Sequence, residues 1–463
     1  MQTKLPRTLI ESLCGIPGFD EKKFIHAHEV PETFTSVRLN PSKNQAATLQ
    51  HFEQAAGTKL ERVPWATSGY YLPKRPSFTK DPLFHAGSYY VQEASSMFLE
   101  EVLKQITIST ELFSSRVLDL CASPGGKSTL IQTIIPPNAT LIANEAIRSR
   151  TGALLENMIK WGGANGIVTS NDPRDFKQME NYFDIIVVDA PCSGSGLFRR
   201  EPEAVNYWTI ENVSLCARRQ QRIIADIWPC LRKEGVLIYS TCSFSREENE
   251  DIANWVIHDL DAESFHIGHR PEWNVVETTL ASGKGRGYRF YPYLTKGEGF
   301  FITAFRKNGG GGFQRSTKRT KREKIARPED MLLREHLKAG NNLALFKMGE
   351  VFKCLPAELE ADLDFIQSGL YIKRAGVALG KILDKQLAPD HELAMNILLE
   401  RNCEYFNLSA QDAIKYLRKE ALSLDSSVKG WGLVGYAQQP LGWIKILTGR
   451  VNNYYPMGWR IRN

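Results

Sequence analysis

No apolar run in this chain approaches the roughly 18–20 residues that cross a bilayer as a helix, so no membrane partner is expected. The opening residues, MQTKLPRTLIESLCGIPGF, lack the hydrophobic stretch of a secretion signal. The eight cysteines are scattered, and no Cys-x-x-Cys occurs. That argues against both a disulfide framework and a zinc ribbon, so a reduced, cytoplasmic setting and no metal are expected. Internal repeats are absent. A strong overall charge is absent too, since 463 residues carry a net +6.

The charge that exists is concentrated. Between Arg306 and Arg327 nine Lys or Arg residues face a single acid, Glu323, which leaves the rest of the chain slightly acidic. Gly309 to Gly312 lie in the same stretch. Residues 308–327 therefore read as a basic, glycine-rich linker. It is either a solvated spacer or an arm laid against phosphates, with Lys318, Arg319, Lys321 and Arg322 as its contacts.

Length suggests three or so domains, at roughly 100–200 residues each. Residues 111–307 alternate short β-rich runs with amphipathic stretches. Strands are expected at 116–120, 140–144, 166–170, 184–189, 235–240, 273–277 and 300–305, with helices at 127–135, 148–161 and 209–230. Such repetition predicts a doubly wound α/β domain with a mostly parallel sheet. The last two runs are expected to form an antiparallel edge pair. Residues 1–110 read as a separate α+β segment, with a helix at 6–13, a strand at 35–39 and a helix at 42–56. Beyond the linker, residues 328–382 and 383–463 form an α+β tail that ends in short strands, turn residues and aromatics, the pattern of a small β-barrel.

CASPGGKS (residues 121–128) follows the first of the central strands and opens a helix. Paired glycines let a backbone approach a ligand, and free N–H groups at a helix start favour an anionic one. A nucleotide-triphosphate loop would need glycine where Cys121 stands, and Pro124 removes a donor from the cradle. An adenosyl cofactor fits better. Glu145 ends the second central strand, where an acid can accept from ribose hydroxyls, and Asp172 follows the third, within reach of an adenine edge.

DAPCSGSG (residues 189–196) ends the fourth strand and STCSFSREENE (240–250) the fifth. Ligands in open α/β sheets bind beyond the carboxyl ends of the strands, so Cys192 and Cys242 are expected to face one crevice. Carbon 5 of cytosine is a poor nucleophile until a thiolate adds at carbon 6, which makes an enamine able to attack a sulfonium methyl. Release then needs a second group nearby. Lys127 can lower a thiol pKa, and Asp189 can engage the exocyclic amine and ring nitrogen. Methylation of an exocyclic amine needs no thiol. The chemistry alone does not choose which cysteine attacks.

These motifs resemble the NOL1/NOP2/Sun family of RNA cytosine-5 methyltransferases, in its bacterial RsmF-type branch. The resemblance rests on Thr35–Asn40, Gln92–Ser96, Cys121–Lys127, Asp189–Gly194, Ser240–Ser243, Glu247–Glu250, Arg289–Pro292 and Gly299–Phe301. In the tail it rests on LAPDHELAM (387–395), YLRKE (416–420), KGWGLV (429–434), PLGWIK (440–445) and NNYYPMGWR (452–460). It implies a class I (Rossmann-like) methyltransferase with an N-terminal RNA-binding segment, a linking module and a PUA-like tail. It further implies Cys242 as nucleophile and Cys192 as the aid to release. S-adenosyl-L-methionine would be held by Ala122, Ser123, Pro124, Gly125, Gly126, Lys127, Glu145, Arg150, Asp172 and Asp189. Arg38 and Lys43 in the N-terminal segment, and Lys445 and Arg450 in the tail, are expected to touch RNA. Trp431, Trp443, Tyr454, Tyr455 and Trp459 are either core or a stacking surface. Departures from the pattern occur at Ala146 and at Phe244-Ser245, and neither touches a cysteine. The expected partner is ribosomal RNA, possibly in the small subunit, bound by a monomer. A transfer-RNA methyltransferase and a non-catalytic assembly factor are the alternatives.

Overall fold

A computed structural model describes residues 5–30, 33–110, 115–280, 283, 285–311, 313, 325–424 and 428–462. The four linker residues expected to meet phosphate, Lys318, Arg319, Lys321 and Arg322, lie outside the described residues.

Three short strands, β1 (Thr35–Leu39), β2 (Gly69–Leu72) and β3 (Tyr89–Val91), form an antiparallel sheet with β1 in the middle. The helix Gln45–Ala56, held at its start by the Asn44 side chain, covers it through Phe52. Two earlier helices, Arg7–Leu13 and Glu21–Glu29, pack elsewhere. Their Leu9, Leu13 and Phe24 cluster with Phe198, Trp208, Phe244 and Tyr291, beside the cysteine loops. The helix Leu99–Thr110, on the N-terminal side of the expected boundary at residue 110, packs on the central sheet. Leu99, Val102, Leu103 and Ile106 of the helix Leu99–Thr110 sit in the same core as Val117 and Ile185 of the central sheet.

That sheet contains β4 (Arg116–Asp119), β5 (Thr140–Asn144), β6 (Gly166–Thr169), β7 (Phe183–Asp189) and β8 (Leu231–Thr241), parallel and in the order β8-β7-β4-β5-β6. The order reverses between β4 and β7, which puts a topological switch point between their carboxyl ends. In β7 the apolar run does not alternate because both faces are covered. Ile185 and Val187 enter one core, while Ile186 and Val188 enter the other. Each such burial stabilises the fold by about 1.5–3 kcal/mol before entropy is counted.

Four antiparallel strands extend the β8 side: β9 (Ala262–Ser264), β10 (Val276–Thr279), β11 (Arg286–Phe290) and β12 (Phe300–Lys307). β12 pairs with β8, β11 with β12 and β10 with β11. The edge pair expected between the last two runs is thus separated by β11. The sequence of β11, RGYRF, hides a strand behind two arginines, and Arg289 is buried there only because Glu250 pairs with it.

In the tail, β13 (Leu343–Met348) and β14 (Val351–Pro356) precede β15 (Ile372–Ala375), which joins the far edge of the central sheet against β6. Next come β16 (Val377–Leu383) and β17 (Gln386–Pro389), which complete the four-stranded sheet β13-β14-β16-β17. The boundary expected between residues 382 and 383 therefore cuts a hairpin. A second sheet holds β18 (Glu404–Asn407), β19 (Gly430–Tyr436), β20 (Gln439–Leu447) and β21 (Arg450–Asn453). Phe352, Val377, Leu433 and Trp443 join the two in one core. Buried Arg374 ties the tail to the central domain: it donates to Glu392 at 2.5 Å and to the Gly166 carbonyl at 3.0 Å.

Candidate active site at the sheet switch point

A cleft of about 390 Å³ opens above the ends of β4, β7 and β8. Its lining includes Ala122, Ser123, Pro124, Gly126, Lys127, Asp189 and Cys242. Gly125 sits at φ +114°, and a Cβ there would lie 3.3 Å from Asn157. The turn thus needs glycine to swing the loop into the helix Gly126–Ile134. Asn157 donates to the Pro124 carbonyl at 2.8 Å, and Ser123 exchanges bonds with Arg150 at 2.9 and 3.0 Å.

The two thiols meet. Cys192 Sγ and Cys242 Sγ lie 3.2 Å apart, both as free cysteines. Of the two, Cys242 lines the cleft and Cys192 does not. The hydrogen bond with Cys242, together with burial, pushes the Cys192 thiol well above its ordinary value. Burial works against a charged Lys127, yet the Asp189 charge and hydrogen bond prevail and raise its pKa, with smaller contributions from Asp119 and Cys242. Lys127 Nζ is 2.8 Å from Asp189 Oδ2, and Ser240 Oγ donates to Asp189 Oδ1 at 2.8 Å.

A buried bracket holds both cysteine loops. Glu248 accepts from the Ser193 amide at 2.8 Å, from Ser193 Oγ at 2.5 Å, from Ser243 Oγ at 2.6 Å and from Gln220 Nε2 at 3.2 Å. Asn249 accepts from Thr241 and donates to the Ser243 carbonyl. Glu250 receives Arg289 through Nε and Nη2, and Arg289 Nη1 donates to the Phe244 carbonyl at 2.8 Å. Gly196 lets the loops touch: its amide donates to the Cys242 carbonyl at 2.8 Å, and a Cβ there would come within 2.6 Å of that oxygen.

The other expected residues are less uniform. Glu145, buried, accepts from the Ile147 amide at 2.8 Å, and its second oxygen is 3.7 Å from Arg150. Through Ser123 this pair leans on the glycine loop. Asp172 caps the turn at 173–178 and pairs with Arg174 at 3.0 Å. Neither acid lines the cleft. Arg38 is a correction. It is 2% exposed, donates to Gln92 at 2.8 Å and Thr129 at 2.6 Å, and stacks on Trp161, so it welds two domains and does not face RNA. Lys43 is likewise spent on the carbonyls of Ala86 and Lys160. In the tail Arg450 is exposed, and Lys445 lies over Trp431, which packs edge-on against the half-exposed Tyr454. Trp443 and Tyr455 are core.

Several site residues carried no signal in the sequence. Tyr90, Leu197, Arg200 and Glu298 line the cleft, beside Glu93 and Phe300 from motifs already singled out in the sequence. Glu298 is buried, 3.6 Å from Arg199, and burial pushes its carboxyl up to about 7. Asp119 lies under the glycine loop, also raised to about 7 by burial, with Ser128 on one oxygen and no hydrogen-bond partner for the other among the described residues. A buried acceptor left open below a glycine turn suits a cofactor that carries its own donors.

These features define a methyltransferase of Rossmann-like fold, and comparison with known proteins agrees. The model described as 16S rRNA methyltransferase RsmB/F matches residues 111–306, that for the N-terminal domain of RsmF matches 5–94, and that for the RsmF PUA domain matches 403–461. Ribosomal RNA small subunit methyltransferase F of Salmonella paratyphi A is 29% identical over 471 residues, spanning 96% of this chain and 94% of the relative. Its counterpart from Escherichia coli O1:K1 is 28% identical over the same shares. A methyltransferase homologue from Pyrococcus horikoshii shares the fold at TM-score 0.51 and 26% identity, covering 65% of this chain and all of that one. NSun6 from the same organism, solved with SFG, gives 0.55 at 20% identity, covering 66% and 99%. The chain belongs to the RsmB/RsmF methyltransferases, in the RsmF branch.

Proposed function

We propose that this protein methylates carbon 5 of a cytosine in small-subunit ribosomal RNA, acting in the cytoplasm as a monomer. The observation that carries the reading is the pair of sulfurs 3.2 Å apart, of which Cys242 opens onto the cleft beside the glycine loop. S-adenosyl-L-methionine, when bound, supplies an electrophilic methyl group. The residues to hold it are Ala122 to Lys127, with Glu145 and Arg150 behind them and Asp119 below.

Cys242 Sγ forms a bond to carbon 6 of the pyrimidine, which shifts electron density onto carbon 5. Asp189, fixed by Ser240 and Lys127, orients the ring by its exocyclic amine. Once carbon 5 carries the methyl group, its proton leaves to a base and the sulfur–carbon 6 bond breaks, restoring the double bond. Cys192, against the departing sulfur, is the residue assigned to that release. A paired base is out of reach of a thiol, so the target is unpaired or flipped out.

Incubation with S-adenosyl-L-methionine labelled in the methyl group, followed by bisulfite mapping, tests this. Label at a cytosine of small-subunit RNA is the expected result. Label confined to transfer RNA would move the substrate, and none in any RNA would leave an RNA-binding scaffold.

A further inference from the structure

The active-site cleft does not end at Cys242. Tyr90, Val91 and Arg200 also line a second cavity of about 400 Å³, whose other walls include Arg75, Phe78, Phe84 and Asn157. A small third pocket repeats Arg75 and Arg200 and adds Glu93 and Glu298. Arg200 therefore lines all three hollows, and Arg75, from a different domain, lines the two that adjoin the cleft. Arg75 lies in the loop before Phe78, and Arg200 lies eight residues after Cys192.

Both are exposed, and neither has an ion-pair partner within 4.0 Å among the described residues. The acids nearby are engaged elsewhere. Glu93 accepts from the amides of Ser95, Ser96 and Glu298, each at 2.9 Å. Glu298 faces Arg199. Arg75 rests on the Phe78 ring at 5.3 Å, which pre-orders its guanidinium. Half-buried Phe84 and Tyr90 line the path between the arginines and the glycine loop. Unpaired guanidinium groups beside aromatic faces are the composition of a single-strand track: arginine forks match phosphate oxygens, and rings accept bases of any sequence.

We propose that Arg75 and Arg200 clamp the phosphates flanking the target pyrimidine, so that single-stranded RNA runs over residues 73–79 while one base drops into the Cys242 cleft. The clamp rests on the reading of this protein as an RNA methyltransferase and assigns its substrate path. Phosphate contacts position the strand and carry no sequence information, so their signature is electrostatic.

The test uses the full-length protein and a short fluorescein-labelled oligoribonucleotide with a single cytosine. Affinity is measured by anisotropy across a salt series for wild type, Arg75→Gln, Arg200→Gln and the double variant. Each lost phosphate contact should reduce the slope of log affinity against log salt by about 0.7, and the double variant by about twice that. Arg75→Lys and Arg200→Lys should keep the wild-type slope, which separates charge from misfolding. Methyl transfer by the double variant should show a raised KM for RNA. A slope equal to that of wild type in both glutamine variants overturns the clamp, whatever happens to affinity. Failure of the functional reading would look different, as binding with normal salt dependence and no methyl transfer by wild type.

Discussion

Replacing Glu248 by alanine removes the acceptor that ties the two cysteine loops to each other. Four hydrogen bonds end on its carboxylate, three of them from the two serines that directly follow Cys192 and Cys242. At about 1.5–3 kcal/mol for each bond to a charged group, addition would give ~6–12 kcal/mol. Burial offsets part of this, as the raised carboxyl shows. Alanine leaves the Ser193 amide and Gln220 without this acceptor, and at about 1–3 kcal/mol for each unmet buried donor the expected loss is about 2–6 kcal/mol. Much of it should fall on the loops, because the freed Ser193 amide must find a new partner. A displacement of about 1 Å at the reacting sulfur is enough for a roughly 10²-fold loss of kcat. Glu248→Gln should be milder. Its amide oxygen can keep the Ser193 amide and Gln220, while its nitrogen donates to the two hydroxyls, which can rotate to accept. The assay is methyl incorporation at saturating RNA alongside thermal unfolding. A folded Glu248→Ala protein with wild-type kcat would refute the argument that this bracket aligns the thiols.

Other outcomes follow from the structure and, for the basic linker, from the sequence. Arg289→Met leaves the Glu250 carboxylate buried and unpaired, so it should cost about 3–5 kcal/mol in chemical denaturation, while Arg289→Met with Glu250→Leu should recover most of it. Burial raises the Glu298 carboxyl to about 7 from its ordinary 4.5. The folded state then holds a proton that the unfolded state releases, so this group's contribution to stability is greatest below 4.5 and declines as pH rises toward 7. Glu298→Gln should flatten that decline in a series of melting curves, and an unchanged series would contradict the assignment. Changing Lys318, Arg319, Lys321 and Arg322 to glutamine should lower the salt dependence of RNA binding, and an unaltered slope would make the linker a spacer.

Much of this molecule is legible in its sequence. The run IIVVD announced a strand covered on both faces, and Cys192 and Cys242 could be set at adjacent strand ends because a parallel sheet leaves no other place for its loops. What stayed hidden depends on partners distant in sequence. Arg38 looks like an RNA contact until Gln92 and Thr129 are seen to close around it. Arg289 disguises β11 because its charge is cancelled 39 residues away. Arg75 and Arg200 are ordinary surface arginines in the sequence, and only folding brings them to one cleft mouth. Glu298 gains its character from burial, which no local pattern reports. The assignment of attack to Cys242 came from family resemblance. The structure adds one geometric difference, since Cys242 lines the cleft and Cys192 does not.

Trapping of the covalent intermediate tests the central claim most directly. Wild type, Cys192→Ala and Cys242→Ala are incubated with S-adenosyl-L-methionine and small-subunit RNA, then run on a denaturing gel. A protein–RNA adduct that accumulates in Cys192→Ala and is missing from Cys242→Ala is the predicted result. Accumulation in Cys242→Ala would contradict it and hand the attack to the other sulfur.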